Sequence, residues 1–392
     1  MVAGRPAAGF TLVELLVAAA VTLAALGLGV ALVGPSAAAF HSLPEAIDAQ
    51  QRLRVAVQAL AQGISEAGAG PVLAWGARGT PAWPAILPCR AVSDPIGLLP
   101  GGCASDDALT VTTMEAAAPQ AAVASDLADT AAPIPLAPLS TCALAAAPCR
   151  LHVGAHVLVA DGAGAWDVVP VSAVSIDGSL VEHAGAPVSR LYQAGALLGE
   201  VERTAYSLRP DPTTHIPQLR RETSRSSDLP VLDHVAALRF EYFGASAAPL
   251  VLDDADPDRR RTTYGPLPPP AGLDDDLDAW VAGENCVFAR ASGAPVARLA
   301  GWPAVHQGLA RLPASLFADG PWCPDASSPN RYDADLLRIR LVRVVVRIEA
   351  QSASVRGTDA QLFSHPGSAR EALRLVPDLE AHVDVAVRNA VR

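Results

Sequence analysis

Gly9-Phe10-Thr11-Leu12-Val13-Glu14-Leu15-Leu16 decides how this chain is read, because it opens an almost unbroken apolar run that lasts to Val33. At 1.5 Å rise per residue, about 20 such residues span the roughly 30 Å hydrocarbon core of a bilayer. Residues 1–9 are short and polar enough to stay in the cytoplasm, and Arg5 keeps that end inside by the positive-inside bias. The bulk of the chain then lies outside. A secretory signal peptide is the competing reading, with Pro35-Ser36-Ala37-Ala38-Ala39 as its small-residue cleavage region. Glu14 argues against it. A charge in an apolar run costs up to about 2.5–3.5 kcal/mol at mid-membrane, and a signal core has no use for one. If the chain is cut before Phe10, a new α-amino group stands one helical turn from Glu14. That cation, in the same chain or in a neighbour, neutralises the carboxylate in low dielectric.

This octapeptide resembles the cleavage and methylation signature of type IV prepilins and type II secretion pseudopilins, with glycine before the cut, phenylalanine after it and glutamate shortly beyond. The resemblance implies cleavage after Gly9 by a prepilin peptidase, followed by N-methylation of Phe10. It implies an inner-membrane anchor whose helix later leaves the bilayer for the core of a filament. Phe10, Thr11 and Glu14 are then the assembly residues, Glu14 pairing with the Phe10 amine of an adjacent subunit and setting the axial register. The implied partners are the peptidase and methyltransferase, other minor and major pilins, and the inner membrane.

The helix is expected to continue. Leu53, Val57, Leu60 and Ile64 recur at spacings of four, three and four, one stripe of an amphipathic helix, with Arg52, Arg54, Gln58 and Glu66 off it. Gly34-Pro35 and Pro44 are expected to interrupt the run, since proline removes a helical hydrogen bond. The segment from Gly68 to Pro71 stops it. Beyond Gly70 the pattern turns to alternation. Short strands rich in Val, Leu and Thr are expected at 109–113, 150–159, 167–176, 197–208, 219–223, 235–242, 336–349 and 382–388. Asp161-Gly162-Ala163-Gly164 makes a hairpin turn between two of them. In 336–349 the arginines fall mainly on the water face, a row that also discourages edge-to-edge pairing. The Ala/Pro-rich stretch 116–148 reads as an irregular loop, and 253–278 as an acidic, proline-rich spacer.

The expected fold class is α+β: a long N-terminal helix, half membrane-spanning and half amphipathic, packed on an antiparallel β-sheet head with long disulfide-braced loops. The divisions are a leader at 1–9, the membrane or filament-core helix at 10–33, its amphipathic continuation at 34–68, and a head at 69–392 with an insertion at 250–330.

The chain has 392 residues, 51% of them apolar, and a formal net charge of -11, with arginine as its only basic side chain besides histidine. That sign gives no general attraction to nucleic acid. Cys89, Cys103, Cys142, Cys149, Cys286 and Cys323 include no CxxC, so an even count behind an export signal reads as disulfides. Six cysteines allow about 15 pairings. The shortest loops pair Cys89 with Cys103, Cys142 with Cys149, and Cys286 with Cys323.

Catalytic equipment is not expected. The sequence holds no GxSxG, HExxH or GxxxxGK[ST] motif. His152 and His156 share a strand face without helical ligand spacing, and a satisfied or exposed pair is the better reading. Asp253, Asp254, Asp256 and Asp258 resemble the start of a calcium loop but lack the glycine and distal glutamate of an EF-hand, so calcium is a minor alternative to a solvated acidic loop. The run from Gln51 to Pro71, the 235–243 strand and the closing Val376-Pro377-Asp378 with Arg388-Asn389 also look like large W-type or J-type minor pilins. Three functions follow: a minor pilin that initiates or caps a type IV pilus-like fibre, a J-like secretion pseudopilin, or an exported binding protein or adhesin that uses the helix as an anchor.

Overall fold

A computed structural model describes residues 10–69, 84–91, 104–114, 120–137, 151–161, 166–183, 185–224, 226–249, 261–262, 265–266, 286–291, 294–323 and 331–387. The fold is α+β, an N-terminal apolar helix followed by antiparallel sheets. One helix of 55 residues runs from Leu12 to Glu66. The expected interruptions at Gly34-Pro35 and Pro44 are absent. Proline's fixed φ near −65° is already helical, so a buried-in-sequence proline costs a missing donor and a steric clash, about 3 kcal/mol, rather than forcing a break. The helix ends where Gly68 takes φ 72°, a left-handed conformation that glycine adopts without a Cβ clash. Gly68 N–H then donates to Thr112 O at 3.0 Å.

The buried line of the helix differs from the expected stripe. Ala49, Arg52, Ala56, Leu60, Ile64 and Ala67 are buried, whereas Leu53 and Val57 are only half-buried. Ala49 and Ala56 take the covered side in place of Leu53 and Val57, and Arg52, expected off the apolar stripe, is inside.

The chain forms two compact units, Met1–Arg52 with Ile348–Leu379, and Leu53–Arg347 with Glu380–Arg392. In the first, Ala46 packs on a small cluster of Ala350, Val355 and Val376. Arg52 donates to Asp48 at 2.7 Å and to the Glu349 carbonyl at 3.0 Å.

The second unit is built on Leu197–Pro210, a strand of 14 residues. Its first half pairs with Gln120–Ala122 and His156–Ala160, and its second half with Ala108–Thr113 and Pro217–Thr223. Ser226–Asp233, Ile86–Leu87 and Trp166–Pro170 complete an eight-stranded sheet. A five-stranded sheet follows the order Ala304–His306, Leu309–Leu312, Val235–Gly244, Ile339–Ile348, Leu379–Ala386. Val235–Gly244 runs against strands of the larger sheet.

Most expected strands are present, with shifted ends, and His156–Ala160 pairs antiparallel with Trp166–Pro170, while Gly162, Ala163 and Gly164 of the expected turn lie outside the described residues. Four expectations change. The 116–148 stretch is not irregular throughout: Gln120–Ala122 and Ile134–Pro135 are strands, and Leu127, Ile134 and Leu136 are buried. Apolar side chains there have a core to enter, which composition did not reveal. The 250–330 insertion contributes Ala304–His306 and Leu309–Leu312 to the main five-stranded sheet, turned by Gln307 and Gly308 with φ 49° and 80°. The 336–349 strand starts at Ile339, after a short 3-10 helix Ala334–Arg338 capped by Asp333, whose carboxylate accepts from Asp335 N–H. Finally, Ile339–Ile348 lies inside the sheet, so its arginines do not guard an edge.

Asp167 sits among apolar side chains of the larger sheet, 2% exposed. It accepts from Ser189 N–H at 2.9 Å, Ser189 Oγ at 2.8 Å and Tyr192 OH at 2.7 Å. Burial nevertheless pushes its carboxyl up to about 6, from an ordinary 3.8. The folded state therefore holds this proton more tightly than the unfolded chain. Stability from this group is lost as pH rises from about 4 to about 6, on the order of 3 kcal/mol in all. Asp167→Asn, which keeps the acceptor oxygen, should raise the urea midpoint at pH 7.5 and give a difference from wild type that shrinks towards pH 4. Parallel pH profiles for the two proteins would refute this.

Candidate functional site

The apolar segment Leu12–Val30 has the length and composition of a membrane span or a signal sequence: 19 residues, mean hydropathy 2.2, none of it buried. Phe10 is 87% exposed, and Leu12, Leu16, Leu23 and Val30 are all more than half exposed. Apolar surface on this scale marks contact with a lipid or a partner rather than with water.

At its head, Thr11 and Glu14 cap the helix reciprocally. Glu14 N–H donates to Thr11 Oγ1 at 3.3 Å, while Thr11 N–H and Thr11 Oγ1 both donate to Glu14 Oε2 at 3.0 Å. Leu15 N–H reaches Thr11 O at 3.2 Å, the first bond of the helical ladder. This is a capping box, in which N-cap and N3 side chains satisfy orphan backbone donors. The Thr-x-x-Glu spacing is the sequence signal of this motif, so the carboxylate has a partner in its own first turn as well as the expected amine. Its negative charge at the helix N-terminus also complements the macrodipole. Gly9, the residue before the expected cut, lies outside the described residues.

Cys286 and Cys323 form the expected disulfide, with Cα atoms 5.0 Å apart. Cys89 is also disulfide-bonded. Cys103, Cys142 and Cys149 lie outside the described residues, as do Asp254, Asp256 and Asp258, the candidate calcium ligands. Among the described residues, no group of three His, Cys, Asp or Glu side chains is placed to hold a metal.

His152 and His156 do not form the expected same-face pair. His156 begins the His156–Ala160 strand and is buried, its imidazole pushed down to about 4 by burial and by nearby Arg203. His152 stands before the strand, largely exposed, with Nδ1 3.6 Å from Glu200 Oε2. The strand is shorter than expected, so residue spacing alone did not bring the rings together.

The arginine row splits into two environments. Arg338 is fully buried, ion-paired with Asp335 at 2.8 Å, and donates to the carbonyls of Ala245 and Ala300. Burial raises Asp335 to about 7, opposed by the adjacent guanidinium. Arg343 is partly exposed and joins a cross-strand ladder. It donates to Asp384 at 2.7 Å and lies 5.1 Å from the Phe243 ring. His306 meets the same Asp384 at 2.7 Å, and Arg311 meets Glu241 at 3.2 Å. The Arg343 hydrogen bond holds the Asp384 carboxyl below its usual range. Arg343 with Asp384 and Arg311 with Glu241 are paired across neighbouring strands, an arrangement that stabilises a sheet face.

Thr11→Ala should remove one side of the capping box at a cost of about 1 kcal/mol, so that the Leu12–Leu15 amides exchange roughly fivefold faster in detergent micelles. An unchanged exchange rate would mean that the box contributes nothing to the first turn. Comparison with protein-family models, with curated proteins and with solved structures found no match.

Proposed function

We propose that this chain is a minor pilin-like structural subunit and not an enzyme. In this reading a prepilin peptidase cuts after Gly9, Phe10 is N-methylated, and the helix anchors the chain in the inner membrane with its C-terminal region outside. The subunit then enters the tip or initiation complex of a type IV pilus-like filament.

One observation carries the proposal: the Gly9-Phe10 to Glu14 signature stands at the head of an apolar segment, Leu12–Val30, that nothing in its own chain covers. A cut before Phe10 would leave a cationic amine at the positive end of the helix, one turn from Glu14. Lipid supplies no counter-charge, whereas a neighbouring subunit supplies an amine. The amphipathic half would seat the helix on the sheet. Burial of Ala56, Leu60 and Ile64 supports that, as does Gly63, where an added Cβ would lie 2.5 Å from Tyr206 Oη. The disulfide between Cys286 and Cys323 suits an oxidising, extracytoplasmic location.

Mass spectrometry of the mature N-terminus tests the processing. A methylated Phe10 is expected, and a start just after Ala37–Ala39 would make this an ordinary secreted protein. Glu14→Ala should leave the chain processed and membrane-bound while its recovery in sheared filaments drops at least about tenfold, the loss expected when a buried charge pair is broken. Normal incorporation would sink the role given to Glu14.

A further inference from the structure

His183 follows the strand Leu180–Glu182 and is buried, only 3% exposed. Both of its ring nitrogens meet backbone carbonyls: Nδ1 lies 2.9 Å from Ala186 O, and Nε2 lies 2.9 Å from Ala132 O. A carbonyl oxygen only accepts, so each contact needs an N–H on the ring. The neutral imidazole has one N–H and the imidazolium has two. Both contacts are therefore hydrogen bonds in the cation alone, and in the neutral ring one carbonyl faces a lone pair.

The two contacts hold different things. Ala186 belongs to the turn that begins at His183 itself, closed by Ala186 N–H donating to His183 O at 3.1 Å, with Gly185 at φ 80°. Ala132 is 51 residues away in sequence, in the loop that leads into the strand Ile134–Pro135. Two backbone bonds also join that loop to 185–192: Val188 N–H donates to Thr130 O at 2.9 Å, and Leu127 N–H to Tyr192 O at 3.0 Å. Loop, turn and strands contribute Leu127, Ile134, Val181, Ala186 and Val188 to one buried apolar cluster. The charged groups on these elements are Asp126 and Asp129 in the loop, Glu182 next to His183 in the chain, Asp177 in the turn before Leu180–Glu182, and Arg190, all exposed. Asp167, on the neighbouring strand, is buried and taken up by Ser189 and Tyr192.

We propose that His183 is a proton-gated clasp: as the imidazolium it ties the loop at Ala132 to the turn at Ala186, and on losing a proton it keeps the turn and releases the loop. The bond to Ala186 is the one that survives, because the turn's own backbone bond keeps that carbonyl within reach of Nδ1. The tie to Ala132 is thus present in acid and lost as pH rises. This device does not depend on the filament reading, since it acts wholly within the β-rich part of the chain.

Nitrogen NMR of the full-length chain in detergent micelles, with isotope-labelled histidine and the His183 ring assigned from its own backbone, tests the gate. At about pH 5.5 both ring nitrogens should carry protons and at about pH 8.5 only Nδ1 should, a range that brackets the ordinary imidazole titration. A ring with the same number of N–H groups throughout overturns the gate, and a lone proton on Nε2 in alkali overturns the release of Ala132. Hydrogen exchange then reads the loop, against His183→Gln, which has a single donor nitrogen. At about pH 5.5 the Leu127 and Val188 amides should exchange about tenfold slower in wild type than in the variant, and at about pH 8.5 the two should agree within about twofold. Taking the ratio at each pH removes the pH dependence of the exchange chemistry and of Asp167, which both proteins share. A ratio that does not change with pH overturns the clasp. Amides of the Leu197–Pro210 strand report on the fold as a whole. If the variant loses protection there too, the wild-type ring measurement decides by itself.

Discussion

The larger sheet hangs on the strand Leu197–Pro210, which is hydrogen-bonded to four other strands along its 14 residues. Its first half carries Leu198 into the apolar cluster with Val157, Val159 and Val169, and its second half carries Ala205 and Tyr206 into the interior. Sequence-distant segments meet through it, since Ala108–Thr113 and Pro217–Thr223 come from either side of it in the chain. Such pairing is worth its loop-closure entropy only when all the partners fold together, so the sheet forms as a unit or not at all.

The helix obeys a different constraint. From Leu12 to Val30 it exposes apolar side chains with nothing of its own chain over them, and from Ala49 onward it buries a narrow line that includes Ala49, Arg52, Ala56, Leu60 and Ile64. The sequence already separates these halves, an almost unbroken apolar run in the first and an apolar stripe flanked by Arg54, Gln58 and Glu66 in the second. Glu14 sits where the first kind of surface begins and satisfies the helix end by itself, which leaves a carboxylate ready at the terminus if a cation arrives.

Three polar groups inside this protein are placed with several partners each. Asp167 takes three donors on one oxygen, Arg338 is held by a carboxylate and two carbonyls, and Glu349 lies between a guanidinium and an imidazole. Each removes a charge or dipole from water only where hydrogen bonds replace hydration. The raised carboxyls of Asp167 and Asp335 show that the replacement is incomplete, burial still favouring the neutral acid.

The sequence by itself determined what depends on near neighbours in the chain. The apolar span, the Thr11-Glu14 spacing, the hairpin between His156–Ala160 and Trp166–Pro170, the stop at Gly68 and the existence of most strands were all legible, because periodicity and turn chemistry are local. The tertiary structure decided what depends on distant partners. It buried Arg52 and Arg338, made strands from parts of an Ala/Pro-rich stretch, drew Ala304–His306 and Leu309–Leu312 into the five-stranded sheet and separated His152 from His156. Arg52 and Arg338 are held inside by the carbonyls of Glu349, Ala245 and Ala300, which lie far away in sequence and became neighbours only on folding.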